Sequence, residues 1–121
     1  MALPDRDVLL CRDCCCGTAA KHAGVDHAAQ RDALEALHDP AGRRGPRVRV
    51  RVVDCLDECD RSNVVLVRDF TAGGGRGRRP RDTWLGRVLT PEATEAVAAW
   101  VHEGGDVPVA LRPHTFRGKR G

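Results

Sequence analysis

The pattern of apolar and polar residues predicts a chain in which strands and helices alternate. Residues 7–11 (DVLLC) form a short apolar run that is typical of a buried strand. Residues 47–54 (RVRVRVVD) alternate arginine with valine, which predicts a half-exposed strand whose valines face inward. Two further runs, 63–69 (NVVLVRD) and 83–89 (TWLGRVL), complete a set of four predicted strands. The first of these two is rich in β-branched residues and is predicted to be central in the sheet.

Two segments have the periodicity of amphipathic helices. One follows Asp26, a suitable N-cap, and its apolar face is predicted to comprise Ala29, Ala33, Leu34 and Leu37. Residues 39–42 (DPAG) should end it. The other begins at residues 90–92 (TPE), an N-cap threonine followed by proline and an acid, and ends at residues 104–105 (GG). Its buried face is predicted to comprise Ala93, Val97, Trp100 and Val101.

The predicted element order is β-α-β-β-β-α. The first β-α-β unit implies a parallel strand pair joined by a crossover helix, and the short connections that follow imply antiparallel strands. The fold class is therefore α/β: a small mixed sheet with two helices, in the thioredoxin-like arrangement. With 121 residues the chain should form one domain. We place that domain at residues 1–106 and a C-terminal arm with a basic tail at 107–121.

The composition and the first residues indicate in which cellular compartment the protein is expected. Apolar residues make up 41% and charged residues 31% of the chain, as in an ordinary soluble protein. The start, MALPDRDVLLC, has neither the basic region nor the apolar run of a signal peptide, and no stretch approaches the length of a membrane span. We expect a cytoplasmic protein that does not bind membranes. Thiols stay reduced there, so clustered cysteines indicate metal or redox chemistry more often than disulfides.

The six cysteines fall into two tight groups that share one topological property. They are Cys11, Cys14, Cys15 and Cys16 in CRDCCCG, and Cys55 and Cys59 in CLDEC. With Cys11 and Cys16 as the first pair, the spacing is C-x4-C and then C-x3-C. Each group follows the end of a predicted strand. If those strands are parallel neighbours, the two cysteine-bearing loops face one another at one edge of the sheet. Two thiol pairs so placed are what a bound metal centre needs.

These motifs resemble those of the thioredoxin-like [2Fe-2S] ferredoxins and of the small NADH-dehydrogenase subunit that shares their fold. That family carries C-x4-C or a longer first spacing, then C-x3-C, a short polar stretch and a valine-rich strand. LLCRDCCCG and CLDECDRSNVVLV match these features, and WLG at residues 84–86 before TPE matches a later turn and helix start. The resemblance covers roughly residues 7–105.

The resemblance implies a ligand set and a function. Cys11 and Cys16 would hold one iron and Cys55 and Cys59 the other, with Cys14 or Cys15 as a substitute for Cys16. The protein would be a one-electron carrier between a reductase and an acceptor enzyme, without catalytic activity of its own. A homodimer is compatible with the resemblance. Four acidic residues around the second cysteine pair would lower the cluster potential and offer a docking face to a basic partner: Asp54, Asp57, Glu58 and Asp60.

The residues alone leave two other interpretations open. Cys11 and Cys14 form a C-x2-C pair of the kind that zinc takes, so a zinc-binding accessory module on the same fold is the first alternative. A thiol–disulfide oxidoreductase that uses Cys14 or Cys15 is the second. His22 or His27 could replace a cysteine ligand. The Arg/Gly-rich residues 73–81 lack the interleaved aromatics of a nucleic-acid-binding segment, so we expect no nucleic-acid partner.

Overall fold

A computed structural model describes residues 4–11, 24–53, 63–71 and 81–117, which form a five-stranded mixed sheet with helices packed on it. The strands, in chain order, are β1 Arg6–Cys11, β2 Val48–Val53, β3 Val65–Asp69, β4 Arg81–Leu85 and β5 Thr115–Phe116. The helices are α1 His27–Glu35, α2 Pro91–Glu103 and a 3-10 helix, Val109–His114. The mixed α/β class predicted from the sequence is confirmed.

The sheet has the strand order β2-β1-β3-β4-β5. β1 and β2 run parallel, joined through α1, and the remaining pairs are antiparallel. The predicted parallel β-α-β unit and the central position of β3 are therefore confirmed.

The side chains of the sheet alternate between two faces, each with its own apolar cluster. On the side that we call the helix face, α1 and α2 cover the sheet, and Val8, Leu10, Val65 and Val67 are almost fully buried. Of the three valines of β2 predicted to face inward, Val48 is buried, and Val50 and Val52 are half-buried against the same cluster. The opposite side, the outer face, buries Leu9, Cys11, Val64, Leu66 and Trp84. The Trp84 ring lies 5.9 Å from that of Phe116 in β5.

α1 begins where the sequence predicts, but only part of the predicted face is buried, Leu34 fully and Leu37 in part. The side chain of Asp26 accepts a hydrogen bond from the Ala29 backbone N–H at 2.9 Å, which confirms the N-cap. Ala29 and Ala33, predicted to be buried, are exposed, and Gln30 is buried beside Leu34. The reason is that the Gln30 amide has hydrogen-bond partners inside the fold, whereas an alanine methyl gains little from burial.

α2 agrees with its prediction at both ends and on its buried face. Thr90 caps the helix by accepting from the Ala93 N–H at 3.1 Å. At the other end, Gly104 has φ of 77°, a conformation that costs other residues strain. The predicted apolar side chains are buried: Ala93, Val97, Trp100 and Val101.

β4 is shorter than predicted, and the C-terminal segment contains elements that were not predicted. β4 ends at Leu85 rather than at residue 89, because the chain turns through Arg87, whose φ is 54°. The predicted C-terminal arm, as far as Arg117, contributes the 3-10 helix with its fully buried Leu111, and then β5, which pairs with β4. The described part of the arm therefore packs against the rest of the fold.

β2 is an edge strand whose outer edge is partly occupied. Asp39 pairs with Val48 through two backbone hydrogen bonds of 2.8 and 3.0 Å. Farther along the same edge, His38 Nδ1 accepts from the Val50 N–H at 3.0 Å. Neither α1 nor α2, nor any other helix in the described ranges, has the length and apolarity that a membrane crossing requires.

Candidate metal centre

The two strands that precede the cysteine groups end side by side. In the parallel pair β1–β2, Cys11 is the direct partner of Val53, and each is the last residue of its strand. The parallel neighbours on which the predicted site depends are therefore present. Residues 12–23 and 54–62 lie outside the described residues, so whether the two cysteine-bearing segments face one another stays a prediction.

Cys11 is the one cysteine of the six within the described part of the chain. Its side chain lies on the outer face, only 1% exposed, among Leu9, Val64 and Leu66. Its backbone N–H donates to the Val64 carbonyl at 3.2 Å, which fixes the end of β1 against β3. Burial fixes the position of this thiol and keeps bulk water away from it. The remaining cysteines fall outside the described residues: Cys14, Cys15, Cys16, Cys55 and Cys59.

A buried polar network connects the segments that follow the two cysteine groups. Asn63, fully buried, is the first described residue after Cys59, and its Nδ2 lies 3.0 Å from His27 Nδ1 and 3.1 Å from Gln30 Oε1. An amide nitrogen has two hydrogens, so Asn63 can donate to Gln30 Oε1 and also to an unprotonated His27 Nδ1. His27 therefore acts here as a partner of Asn63; its predicted alternative role as a metal ligand is untested.

The same network extends to α2. Gln30 Nε2 donates to the Val88 carbonyl at 2.6 Å and to Thr94 Oγ1 at 3.2 Å, and the Val88 N–H donates to the Asn63 carbonyl at 3.1 Å. Sequence reasoning missed Gln30 and Asn63. The available signal was the position of Gln30 four residues before Leu34, on the same face of α1.

A row of alternating charges crosses the outer face beside the apolar cluster. Asp7, whose side chain is 1% exposed, accepts from Arg49 at 2.9 Å and from Arg51 at 2.7 Å. Arg68 is the partner of Asp7 on the other side, in β3, and lies opposite Asp82 in β4. The arginines of the Arg/Val alternation thus stabilise a buried carboxylate rather than only facing solvent.

The pKa values of the two carboxylates in this row are shifted in opposite directions. Burial pushes the pKa of Asp7 upward, but hydrogen bonds from Arg49 and Arg51 and their positive charges outweigh it, so the pKa lies below its usual value. Burial also raises the pKa of Asp82, and the charge of Arg68 only partly opposes this rise. The Arg68 Nε to Asp82 Oδ1 distance of 3.5 Å is too long for a good hydrogen bond, and both atoms lack one.

The ligand set itself stays a prediction. Within residues 4–11, 24–53, 63–71 and 81–117, no three His, Cys, Asp or Glu side chains gather in a way that could hold a metal ion. Of the predicted ligands Cys11, Cys16, Cys55 and Cys59, this part of the chain includes only Cys11. His22 and the acidic residues predicted to form a docking face also lie outside it: Asp54, Asp57, Glu58 and Asp60.

Comparison with known proteins does not identify a family for this chain. No protein-family model matches the chain, and a search of curated proteins finds no similar sequence.

Proposed function

We propose that the protein is a [2Fe-2S] electron carrier of thioredoxin-like fold, with Cys11, Cys16, Cys55 and Cys59 as the cluster ligands. The observation that carries this proposal is the parallel pairing of β1 with β2, in which Cys11 lies opposite Val53. Because of this pairing, the two cysteine groups follow adjacent strand ends, as a site shared by both groups requires.

Chain geometry supports a shared site. Neighbouring strands lie about 5 Å apart, and two successive peptide units span at most about 7.6 Å. Cys55 follows Val53 by two positions in the sequence, so the short connection allows its thiolate and that of Cys11 to reach one cluster.

The chemistry of the donor set fits this cluster. Four thiolates, two ferric ions and two sulfides carry a net charge of −2, and the added electron makes the charge more negative. A buried ligand such as Cys11 keeps the cluster from bulk water, and N–H donors around the sulfurs offset the charge. When bound, the cluster would supply the reversible one-electron step, and the chain would supply rigid ligands and a surface for partners.

The arrangement of the described elements supports the thioredoxin-like topology. The thioredoxin-like arrangement was predicted from the order β-α-β-β-β-α. The described elements follow the same order, β1-α1-β2-β3-β4-α2, with a parallel first strand pair and antiparallel later pairs. The carrier would exchange electrons with a reductase and an acceptor enzyme, both of them protein partners.

Anaerobic purification followed by metal analysis tests the proposal. We expect iron and acid-labile sulfide in equal amounts and visible charge-transfer absorption that dithionite bleaches. A colourless protein that contains zinc would favour the accessory module. A protein without metal but with a measurable dithiol–disulfide potential would favour the thiol oxidoreductase. Either result would overturn the electron-carrier function.

A further inference from the structure

We propose that the groove between α1 and the start of α2 is the docking surface for a redox partner that presents an apolar side chain flanked by lysine or arginine. This inference rests on the proposed electron-carrier function and places the partner on a surface formed by the two helices.

The groove is apolar and of the size of a side chain. Val25, Ala29 and Ala33 line it on the side of α1, and Leu89 and Pro91 line it on the side of α2. Its volume of about 210 Å³ is below the roughly 300–1,000 Å³ typical of small-molecule sites. Ala29 and Ala33, which were predicted to be buried, are exposed, so their methyl groups are available to a partner.

The surroundings of the groove are negatively charged, although the whole chain has a net charge of +3. From its N-cap, α1 has three carboxylates and one arginine, a net charge of −2, and that arginine, Arg31, pairs with Glu35 at 2.7 Å. α2 has neither lysine nor arginine, and two of its three carboxylates, Glu92 and Glu95, lie in its first two turns, while Glu103 is at the other end. Asp26 and Glu95 line the groove, and none of its described lining residues is basic. Charge complementarity therefore selects a basic partner.

The dipoles of the two helices do not reverse this preference. Both helices begin at the groove, and each N-terminus contributes about half a positive charge. The Asp26 carboxylate already accepts a backbone N–H of α1, and Glu92 lies in the first turn of α2. Each of these full negative charges exceeds the partial positive charge beside it, and the Glu95 charge remains in addition.

The groove lies at the end of the molecule where β1 and β2 terminate. Leu85, the last residue of β4, is the partner of Val65, which is in turn the partner of Leu10 next to Cys11. α2 begins shortly after Leu85. Gln30 and Thr94 line the groove and are hydrogen-bonded to each other, and Gln30 also bonds to Asn63. The groove and Cys11 therefore lie at the same end of the sheet, the groove on the helix face and the thiol on the outer face.

Peptide binding to the full-length protein as purified tests the surface directly. The probe is a fluorescein-labelled helical peptide with a leucine face flanked by lysines, and its counterpart has glutamates in place of the lysines. By fluorescence anisotropy, we expect the lysine peptide to bind more tightly at low salt than at high salt and the glutamate peptide not to bind. Glu95→Lys should weaken binding about five- to tenfold, and Ala33→Gln should weaken it by filling the groove.

Matched variants outside the groove serve as controls. Glu103→Lys makes the same charge change at the other end of α2, and Ala99→Gln makes the same substitution as Ala33→Gln at an exposed alanine of α2. Both should change binding less than twofold. Equal loss in Glu95→Lys and Glu103→Lys would mean non-specific attraction and would overturn the docking site, as would equal binding of the two peptides.

Electron transfer to cytochrome c, a basic haem protein, links the groove to function. In stopped-flow mixing of the dithionite-reduced protein, Glu95→Lys should slow the second-order rate several-fold and Glu103→Lys should not. Equal rates in the two variants would overturn the inference.

A purified protein without iron would refute the proposed function, while the peptide assay would still decide on the groove. A dimer that Glu95→Lys dissociates, detected by light scattering, would assign the groove to a second copy and overturn the inference.

Discussion

Cys11 and Val53 are direct partners at the ends of the parallel strands β1 and β2. Cys11 is the first cysteine of one group, and Val53 precedes the other group, which is far away in the sequence. The pairing gives the two groups a common starting edge, and it is the structural basis for assigning ligands from both groups to one centre.

Two cysteine variants distinguish ligands from additional thiols. Cys59→Ser should lose or destabilise the cluster, because it removes a predicted iron ligand, and Cys15→Ser should retain it. Iron content and visible absorption after anaerobic purification measure both effects. Full iron in the first variant or loss of iron in the second would contradict the ligand assignment.

Asp7 is expected to be the most important carboxylate for stability on the outer face. Asp7→Asn leaves Arg49 and Arg51 without their buried counter-charge and should lower the free energy of unfolding by about 2 kcal/mol. Urea denaturation measures the change. Asp32→Asn, at an exposed position of α1, is the matched control and should change stability by less than about 0.5 kcal/mol.

The opposite pKa shifts of Asp7 and Asp82 predict opposite pH effects. The folded pKa of Asp7 is lowered, so its stabilisation is present above the unfolded pKa of about 3.9 and is lost as pH falls through the folded value. The folded pKa of Asp82 is raised, so its contribution is present below about pH 3.9 and is lost as pH rises through the folded value.

Asparagine variants separate these two contributions. Asp7→Asn should remove part of the loss of stability in acid, and Asp82→Asn should be neutral or stabilising near pH 7. Denaturant titrations across pH, each taken as a difference from the parent protein, check both signs. A large destabilisation by Asp82→Asn near neutral pH would show that its ion pair with Arg68 outweighs burial.

The buried network around Asn63 should behave as a coupled unit. Asn63→Ala removes the donor to Gln30 Oε1 and His27 Nδ1, and we expect a loss of about 2–3 kcal/mol in unfolding free energy. A double-mutant cycle with Gln30→Ala should give a coupling energy of about 1 kcal/mol or more. Strict additivity of the two substitutions would argue against a direct interaction.

Two neighbouring glycines provide a matched test of packing at the end of α2. Gly104 and Gly105 both have positive φ, so alanine is strained at either position. A Cβ at Gly104 would also meet the buried Arg6 guanidinium, which pairs with Asp69, whereas a Cβ at Gly105 meets nothing within 4 Å. Gly104→Ala should therefore lower the melting temperature more than Gly105→Ala. Equal losses would mean that Arg6 moves away without cost.

The sequence predicted those elements whose local signals agree with their tertiary setting. β1 and β3 are apolar runs that are buried on both faces, and α2 has a cap at each end, so propensity and packing indicate the same structure. On α1, the burial of Leu34 and Leu37 was predicted correctly and that of Ala29 and Ala33 wrongly, because alanine is compatible with either side of a helix. The burial of Gln30 depends on its hydrogen bonds with Val88 and Thr94, which are distant in sequence.

The remaining differences also have physical causes. β5 has two residues, too few for any periodicity, and it exists because it pairs with β4. β4 stops early because of the turn through Arg87, a residue type that does not signal positive φ. For the candidate centre, the parallel strands could be predicted from the β-α-β pattern. The arrangement of the cysteines beyond the strand ends falls outside the described residues.

The occupied edge of β2 limits how this protein can associate with other chains. Adding a strand to a sheet requires unpaired backbone N–H groups, and on this edge those of Val48 and Val50 are already bonded to Asp39 and His38. An incoming chain would have to displace these partners before it could pair. Growth of the sheet at this part of the β2 edge is thereby disfavoured.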